Sequence, residues 1–440
     1  MFGTDGIRGT PGKFPLDEHT IARVGAAVVR VLGGSNVALL VVRDTRESGF
    51  WIEKHLARGV AAEGGQLVSA GVMPTPAAAF LAASHGFNAA LAISASHNPF
   101  PDNGIKVLTG DGEKASREFE ISIEKIVDDE SWIVPSDVNP LLVSRDLTEE
   151  YLAHTRSVIV DTIAEPSLKI AVDCANGATS VVVPRLLKQV GFDLVELNVS
   201  PDGCNINDRC GSIHPEGLQK VVTAQNCNLG LAFDGDGDRV ILVDNNGDLV
   251  DGDAVLFICA KYLSECGRLP GNAVVASIMS NIGLEITLKN FGIKVYRCQI
   301  GDRQIRETMV DKRLVLGGEQ SGHIIFSDLL PTGDGVLTAL SVIRVMIESG
   351  CELAELRRDL KIYPQVLVNV KVSAKPDLSA EPEIANAIQE AKRTLSGEGR
   401  VLVRYSGTEP LLRIMIESRD AETARKLAES IASCATQRLG

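Results

Sequence analysis

The chain has 440 residues, too many for one ordinary hydrophobic core, and its length suggests three or four domains. Hydrophobic residues at 45% and charged residues at 23% exclude a disordered chain. A formal charge of −13 excludes general DNA or RNA binding, so an anionic ligand must be met by local arginines, lysines, amides or a metal.

The first motif is a glycine-rich loop, GTDGIRG at residues 3–9, which brings backbone and Arg8 close to a ligand. It lacks the GxxxxGK[ST] spacing and is not a P-loop. Three similar segments follow, each an apolar run, a polar turn, a helical pattern, and two more apolar runs. The first has apolar runs at 37–42, 66–70 and 89–93; the second at 170–172, 192–197 and 229–233; the third at 273–278, 293–298 and 314–316. Strand–helix–strand–helix–strand three times over predicts three related α/β domains with mainly parallel sheets. Each third run leads into a polar loop: SASHNP (94–99), DGDGDR (234–239) and GGEQSGH (317–323). Open α/β sheets bind ligands beyond the carboxyl ends of their strands, so three such loops are expected to face one central cleft. From about Tyr363-Pro364 the pattern changes to a small α+β domain: strands at 366–372, 400–405 and 411–417, helices at 381–395 and 422–438. The expected boundaries are 1–150, 151–250, 251–364 and 365–440.

Asp234, Asp236 and Asp238 stand at alternate positions with glycines between, a density of oxygen donors that suits Mg²⁺ or Ca²⁺. Arg239 and Asn245 occupy the positions where an EF-hand needs glycine and glutamate, which excludes that motif. A solvated acidic turn is the bland alternative, at the cost of three crowded carboxylates repelling one another. The nearby stretch 244–248 looks like a second calcium loop, but Asn246-Gly247 between apolar runs predicts a hairpin turn.

Ser96 beside His97 admits a Ser–His hydrolase, an ordinary capped turn, or a phosphoserine. No GxSxG elbow surrounds it. A phosphoserine oxygen could complete the coordination of a cation held by the three aspartates. Lys106, after the turn at 102–105, and Arg8 could each stabilise a transferring phosphoryl group or shuttle a hydroxyl proton. Glu319, Gln320 and Ser321 suit sugar hydroxyls and an amine, and His323 is a candidate proton carrier. Arg404, Ser406, Gly407 and Thr408, with Arg413 across a hairpin, combine fork-shaped cations, hydroxyls and flexible backbone, as anchoring a phosphate dianion requires. A plain hairpin loop is the alternative there.

These loops, in this order, resemble the α-D-phosphohexomutase superfamily over essentially the whole chain. GTDGIRG, ISASHNP, PDGCNIN (201–207) with CGS (210–212), GEQSGH and RYSGTEP are most similar to its amino-sugar branch. The resemblance implies four domains around a central cleft, with Ser96 carrying a phosphate and Ser96, Asp234, Asp236 and Asp238 holding one Mg²⁺. It implies transfer roles for Arg8 and Lys106, with His97, Arg239 and His323 counted in the catalytic set. Glu319 and Ser321 match the sugar-binding loop; Arg404, Ser406, Gly407, Thr408 and Arg413 match the phosphate-binding loop. The implied reaction interconverts glucosamine 6-phosphate and glucosamine 1-phosphate through a 1,6-bisphosphate, with glucosamine or glucose 1,6-bisphosphate as activator. The rivals are glucose or mannose phosphate mutation on the same fold, and a catalytically inactive sugar-phosphate-binding protein.

The nine cysteines include no CxxC pair, which predicts reduced thiols rather than zinc or a disulfide framework. No basic-then-apolar leader and no apolar run near the ~20 residues needed to cross a bilayer are found. The expectation is a soluble cytoplasmic enzyme with a small sugar phosphate as partner and no membrane or nucleic acid. A homodimer is left open.

Overall fold

The computed structural model of the chain describes residues 1–3, 5–140, 142–159, 168–406 and 409–440. By internal contacts these form two units, one of residues 1–279 and 293–358, the other of residues 280–292 and 359–440.

In the first unit, the apolar runs form three sheets. The first holds β1 (Ile7–Gly9), β2 (Ala38–Arg43), β3 (Gln66–Val72), β4 (Ala89–Ile93), β5 (Asn103–Thr109) and β6 (Leu142–Ser144) in the order β1-β5-β4-β2-β3-β6. The second holds β7 (Lys169–Asp173), β8 (Asp193–Leu197), β9 (Leu229–Phe233), β10 (Val240–Asp244) and β11 (Leu249–Val250) in the order β11-β10-β9-β7-β8. The third holds β12 (Ala273–Ser277), β13 (Lys294–Cys298), β14 (Leu316–Gly318) and β15 (Ile324–Phe326) in the order β13-β12-β14-β15.

The repeat is visible in this topology. In each sheet the first strand of the triplet pairs in parallel with the second on one side and the third on the other. A fourth strand, β5, β10 or β15, then turns back antiparallel beside the third. Strands β4, β9 and β12 are buried along their whole length, so they read as continuous apolar runs rather than alternating ones. All three polar loops occupy the same place, the turn from third to fourth strand.

One boundary differs from expectation. The apolar run 314–316 is not the third strand of the last triplet; β14 is Leu316–Gly318, and Gly317 and Gly318 pair with Val275 and Ala276. Leu314 instead closes the preceding helix, its N–H donating to Met309 O. A Cβ on Gly318 would stand 2.5 Å from Ile324 Cδ1 and 2.7 Å from His323 O, so the hairpin requires glycine where a strand signal is weakest. The third polar loop is therefore the short turn 319–323. The stretch 244–248 is the expected hairpin between β10 and β11: Gly247 N–H donates to Asp244 O, and the buried Asp244 carboxylate is held by Arg357 at 2.6 Å.

Side-chain ties link the first and third sheets' segments within this unit. Lys114 bonds Asp302 at 2.9 Å, Arg306 pairs with Glu113, and Arg303 pairs with Glu120 at 2.7 Å. Tyr151, fully buried, donates to Asp334 Oδ2 at 2.9 Å, and Asp334 caps the helix Gly335–Ser349.

The second unit is a three-stranded antiparallel sheet, β16 (Gln365–Lys371), β17 (Gly399–Tyr405) and β18 (Leu411–Ser418), ordered β16-β18-β17. Helices Pro382–Leu395 and Ala421–Leu439 cover it through a core that includes Ile384, Leu412, Ile414, Ile416 and Ile431. The helix Ile282–Asn290, which the repeat places in the third domain, belongs to this unit by its contacts. Ile282 N–H donates to Glu417 Oε2 at 3.1 Å, and Asn281 exchanges hydrogen bonds with the backbone of Tyr363.

Candidate active site

The acidic loop follows β9, and its glycine spacing has a specific cause. A Cβ at Gly235 would lie 2.5 Å from Ser96 O, so glycine here lets the acidic loop reach the serine loop of the first sheet. Asp234, Asp236 and Asp238 are all buried, and ligand oxygens from the three lie within 4.8 Å of one another. Ser96, also buried, donates from Oγ to Asp234 Oδ2 at 2.7 Å. Two loops 138 residues apart in sequence thus meet at one hydroxyl and one carboxylate.

The oxygens Asp236 Oδ1 and Asp238 Oδ1 are buried without a hydrogen-bond partner. Buried carboxylate oxygens left unsatisfied are costly and need an explanation. A hard divalent cation supplies one: this donor set is all oxygen, anionic and clustered. The residues present fit such an ion.

Lys106, on β5, is the local counter-charge. Its Nζ lies 2.8 Å from Asp236 Oδ2, 3.3 Å from Asp238 Oδ2 and 3.0 Å from Asp5 Oδ2. Burial works to lower its pKa, but Asp236, Asp5 and Asp238 outweigh that and hold it well above the usual lysine range. Asp238 shows the reverse: burial raises it, but Lys106, the His323 contact and Arg239 hold the carboxyl well below its usual range. Asp234 is pushed well up by burial and by the neighbouring Asp238 and Asp236. Thr75 completes this group, donating to Asp236 Oδ2 at 2.5 Å.

Arg8 reaches the serine loop's edge, donating to Asn98 Oδ1 at 3.1 Å and pairing with Asp5 at 2.6 Å. Arg239 donates its backbone N–H to Asp234 Oδ1 at 3.2 Å, with its Nε 3.6 Å from Asp238. His97 Nδ1 is 3.2 Å from Ser96 Oγ; burial, Arg239 and Arg8 lower its pKa, so the ring is neutral near pH 7. His323 is buried with Nδ1 3.7 Å from Asp238; despite burial, the Asp238 carboxylate raises its pKa. Ser96 sits between Asp234 and His97, and no carboxylate bond to the His97 ring is found among the described residues, so the Ser–His–carboxylate order of a hydrolase triad is not built here.

Glu319 accepts from Gly301 N–H at 3.0 Å, and Ser321 Oγ lies 3.4 Å from its other oxygen. Gln320 does not present its amide beside them; its Nε2 donates to Asp251 Oδ2 at 3.0 Å. Asp251 caps the helix Gly252–Glu265, so Gln320 braces the loop.

In the second unit, Arg404 and Arg413 face each other directly across β17 and β18. Like charges at opposed sheet positions repel, and an anion relieves them. Ser406 N–H pairs with Leu411 O at 2.8 Å, closing the hairpin, and Arg413 bonds Glu409 at 2.8 Å. Gly407 and Thr408 lie outside the described residues.

Several site residues escape reasoning from motifs. Asp5 bridges Lys106, Arg8 and Lys114, and its carboxyl is held well below the usual range by Lys106 and Lys114 despite burial. Its signal was a lone carboxylate in the GTDGIRG loop. Thr75 carries no signal of its own. Asp44, Arg46 and Asn207 surround the serine loop; the signal of the first two was the polar turn after β2, and Asn207 is the last residue of PDGCNIN (201–207).

The four models of the phosphoglucomutase/phosphomannomutase family match in order: α/β/α domain I over residues 1–133, domain II over 149–247, domain III over 251–363 and the C-terminal domain over 367–433. The chain belongs to the phosphoglucomutase/phosphomannomutase family, and it is an isomerase of the mutase type. Among its relatives, a phosphoglucosamine mutase from Solibacter usitatus is 42% identical over 444 residues, covering 100% of this chain and 99% of the relative. Its fold is that of a phosphoglucomutase/phosphomannomutase family protein from Burkholderia thailandensis, with TM-score 0.80, 24% identity, and coverage of 99% and 97% of the two chains. It is also that of an Aspergillus fumigatus N-acetylphosphoglucosamine mutase solved with GlcNAc-6P and magnesium, with TM-score 0.69, 17% identity, and coverage of 99% and 95%.

Proposed function

We propose that the chain interconverts glucosamine 6-phosphate and glucosamine 1-phosphate, with Ser96 as the phosphoryl carrier. The observation that carries this is the meeting of Ser96 Oγ with a buried trio of carboxylates, two of which keep an unsatisfied oxygen, beside a buried lysine. The relatives' name supports the amino-sugar substrate.

In this reading, phosphoserine 96 gives its phosphoryl group to the free hydroxyl of the sugar phosphate. The Oγ–P bond breaks, a sugar O–P bond forms, and the hydroxyl proton ends on Ser96 Oγ. Neutral His97, 3.2 Å from Oγ, is placed to pass that proton. Lys106, beside Asp236 and Asp238, and Arg8, at the edge of the serine loop, stabilise charge on the transferring oxygens. The 1,6-bisphosphate turns round, and Ser96 takes the other phosphate. Asp234, Asp236 and Asp238, with an oxygen on Ser96, would hold Mg²⁺, which when bound neutralises charge on the phosphoryl group. Glu319 and Ser321 orient sugar hydroxyls, while Arg404, Ser406, Gly407, Thr408 and Arg413 bind the distal phosphate of either sugar end. A glucosamine or glucose 1,6-bisphosphate would restore the phosphoserine when the intermediate escapes. All nine cysteines are free, which supports a cytoplasmic enzyme, and among the described residues no helix is long and apolar enough to cross a membrane.

Two comparisons test this. Glucosamine 6-phosphate is expected to turn over faster than glucose or mannose 6-phosphate; faster glucose 6-phosphate turnover contradicts the substrate. EDTA is expected to abolish turnover and Mg²⁺ to restore it, whereas activity that survives chelation contradicts the role of the carboxylates and favours a Ser96 hydrolase.

A further inference from the structure

Ser96 has φ +53°, a left-handed conformation that residues other than glycine rarely adopt. Something must hold it there. Directly beneath the loop lies Arg46, whose side chain is fully buried with that of Asp44. Its Nε donates to Asp44 Oδ2 at 2.9 Å. Its two terminal nitrogens donate to four backbone carbonyls of the serine loop: Pro99 O at 2.6 Å, Asp102 O at 2.9 Å, Ser96 O at 3.1 Å and Asn98 O at 2.7 Å. All five guanidinium donors are therefore used.

Two of those carbonyls are gripped a second time. Asn207 Nδ2, from the second sheet's segment, donates to Ser96 O at 2.9 Å and to Asn98 O at 3.0 Å. On the other side, Ser94 Oγ donates to Asp44 Oδ2 at 2.6 Å and accepts from Ser96 N–H at 2.9 Å. The backbone of Ser96 is fixed at both its N–H and its carbonyl, and the chain of contacts ends on Arg46.

We propose that Arg46, oriented by Asp44 and assisted by Asn207, is the positioning residue that holds Ser96 in its left-handed conformation and so aims Oγ at the acidic trio. It touches no reacting atom and acts through the loop. The proposal rests on the mutase reading, because the effect is read in phosphoryl transfer. A lysine at this position keeps the charge but cannot span four carbonyls from one point.

Arg46→Lys is expected to lower kcat about 100-fold, the scale of a misplacement of about 1 Å, while KM stays within about threefold. In Arg46→Ala, millimolar guanidinium is expected to raise the rate at least about tenfold, because it refills the site, whereas methylammonium is not. Wild-type kcat in either folded variant overturns the proposal. So does a rate that falls only in proportion to the folded fraction by near-UV circular dichroism, without a guanidinium response. If the Arg46 variants do not fold, Asn207→Ala decides: kcat about tenfold lower at unchanged KM supports the clamp, and wild-type kcat overturns it. The wild type is assayed alongside. Its inactivity on every hexose phosphate overturns the mutase reading and this proposal with it, whereas full activity in all variants overturns the clamp alone.

Discussion

Ser96→Ala leaves a folded protein that binds glucosamine 6-phosphate within a few-fold of wild type but turns it over at least about 10⁴-fold more slowly. The rate effect follows from chemistry: without the hydroxyl there is no covalent carrier, and the remaining groups can only bind and polarise. Folding is retained because alanine removes one hydroxyl with two contacts, one to His97 and one to an Asp234 carboxyl that burial and its acidic neighbours already push well up. The backbone restraints on the loop, from Arg46, Asn207 and Ser94, do not involve Oγ. Steady-state assays and substrate titration by calorimetry check the two halves. Turnover within tenfold of wild type contradicts the carrier role.

Lys106→Met has the second largest effect, and it is felt in stability as well as rate. Three carboxylates, Asp5, Asp236 and Asp238, lie within 3.3 Å of this one ammonium group. Removing one partner from a buried ionic cluster costs about 3–5 kcal/mol, because Asp236 and Asp238 stay buried without their nearest cation, while Asp5 keeps Arg8 and Lys114. In metal-free buffer the variant is expected to unfold at correspondingly lower urea, and Mg²⁺ to recover more stability in it than in the wild type, by mass action. The pH dependence has a definite sign. In the wild type Asp238 is held below its ordinary range, so its contribution is present above about pH 4 and is lost as pH falls through the depressed value. In the variant the same carboxylates lose their cation and their pKa values rise, so the deficit is largest near neutral pH and shrinks toward pH 4. Turnover is expected to fall about 10³-fold, the loss of one preorganised charge at the transferring oxygens. A variant as stable as wild type in EDTA, with no added response to Mg²⁺, contradicts this electrostatic account.

Much of this was legible in the sequence for a physical reason. Strands buried on both faces are apolar along their length, so β4 and β9 stand at the residues predicted for them, and the hairpin loops beyond them carry the motifs. Where glycine replaces apolar residues, as in Gly317-Gly318, the strand signal fails, because close approach to Ile324 rather than burial of a side chain selects the residue. The helix Ile282–Asn290 shows a second limit. Its period marks a helix, but its attachment depends on Asn281 and Glu417, which are 136 positions apart. The carboxylate trio and Ser96 were legible as types of residue; their meeting was an inference from repeat topology. Arg46 showed only as one polar residue in the turn after β2, because an arginine that gives four of its five donors to backbone carbonyls leaves no further pattern in side-chain types. Gln320 is instructive in the other direction, since its place beside Glu319 suggested a sugar contact and its amide bonds Asp251.

The central claim is that residue 96 bears the phosphoryl group in transit. Intact-protein mass spectrometry with peptide mapping, before and after incubation with glucose 1,6-bisphosphate and Mg²⁺, reads this directly. The expected result is one added phosphoryl group, located on the peptide at Ser96 and discharged by excess glucosamine 6-phosphate. Sustained turnover with that peptide unmodified throughout, or a phosphate found only on another side chain, would contradict the account.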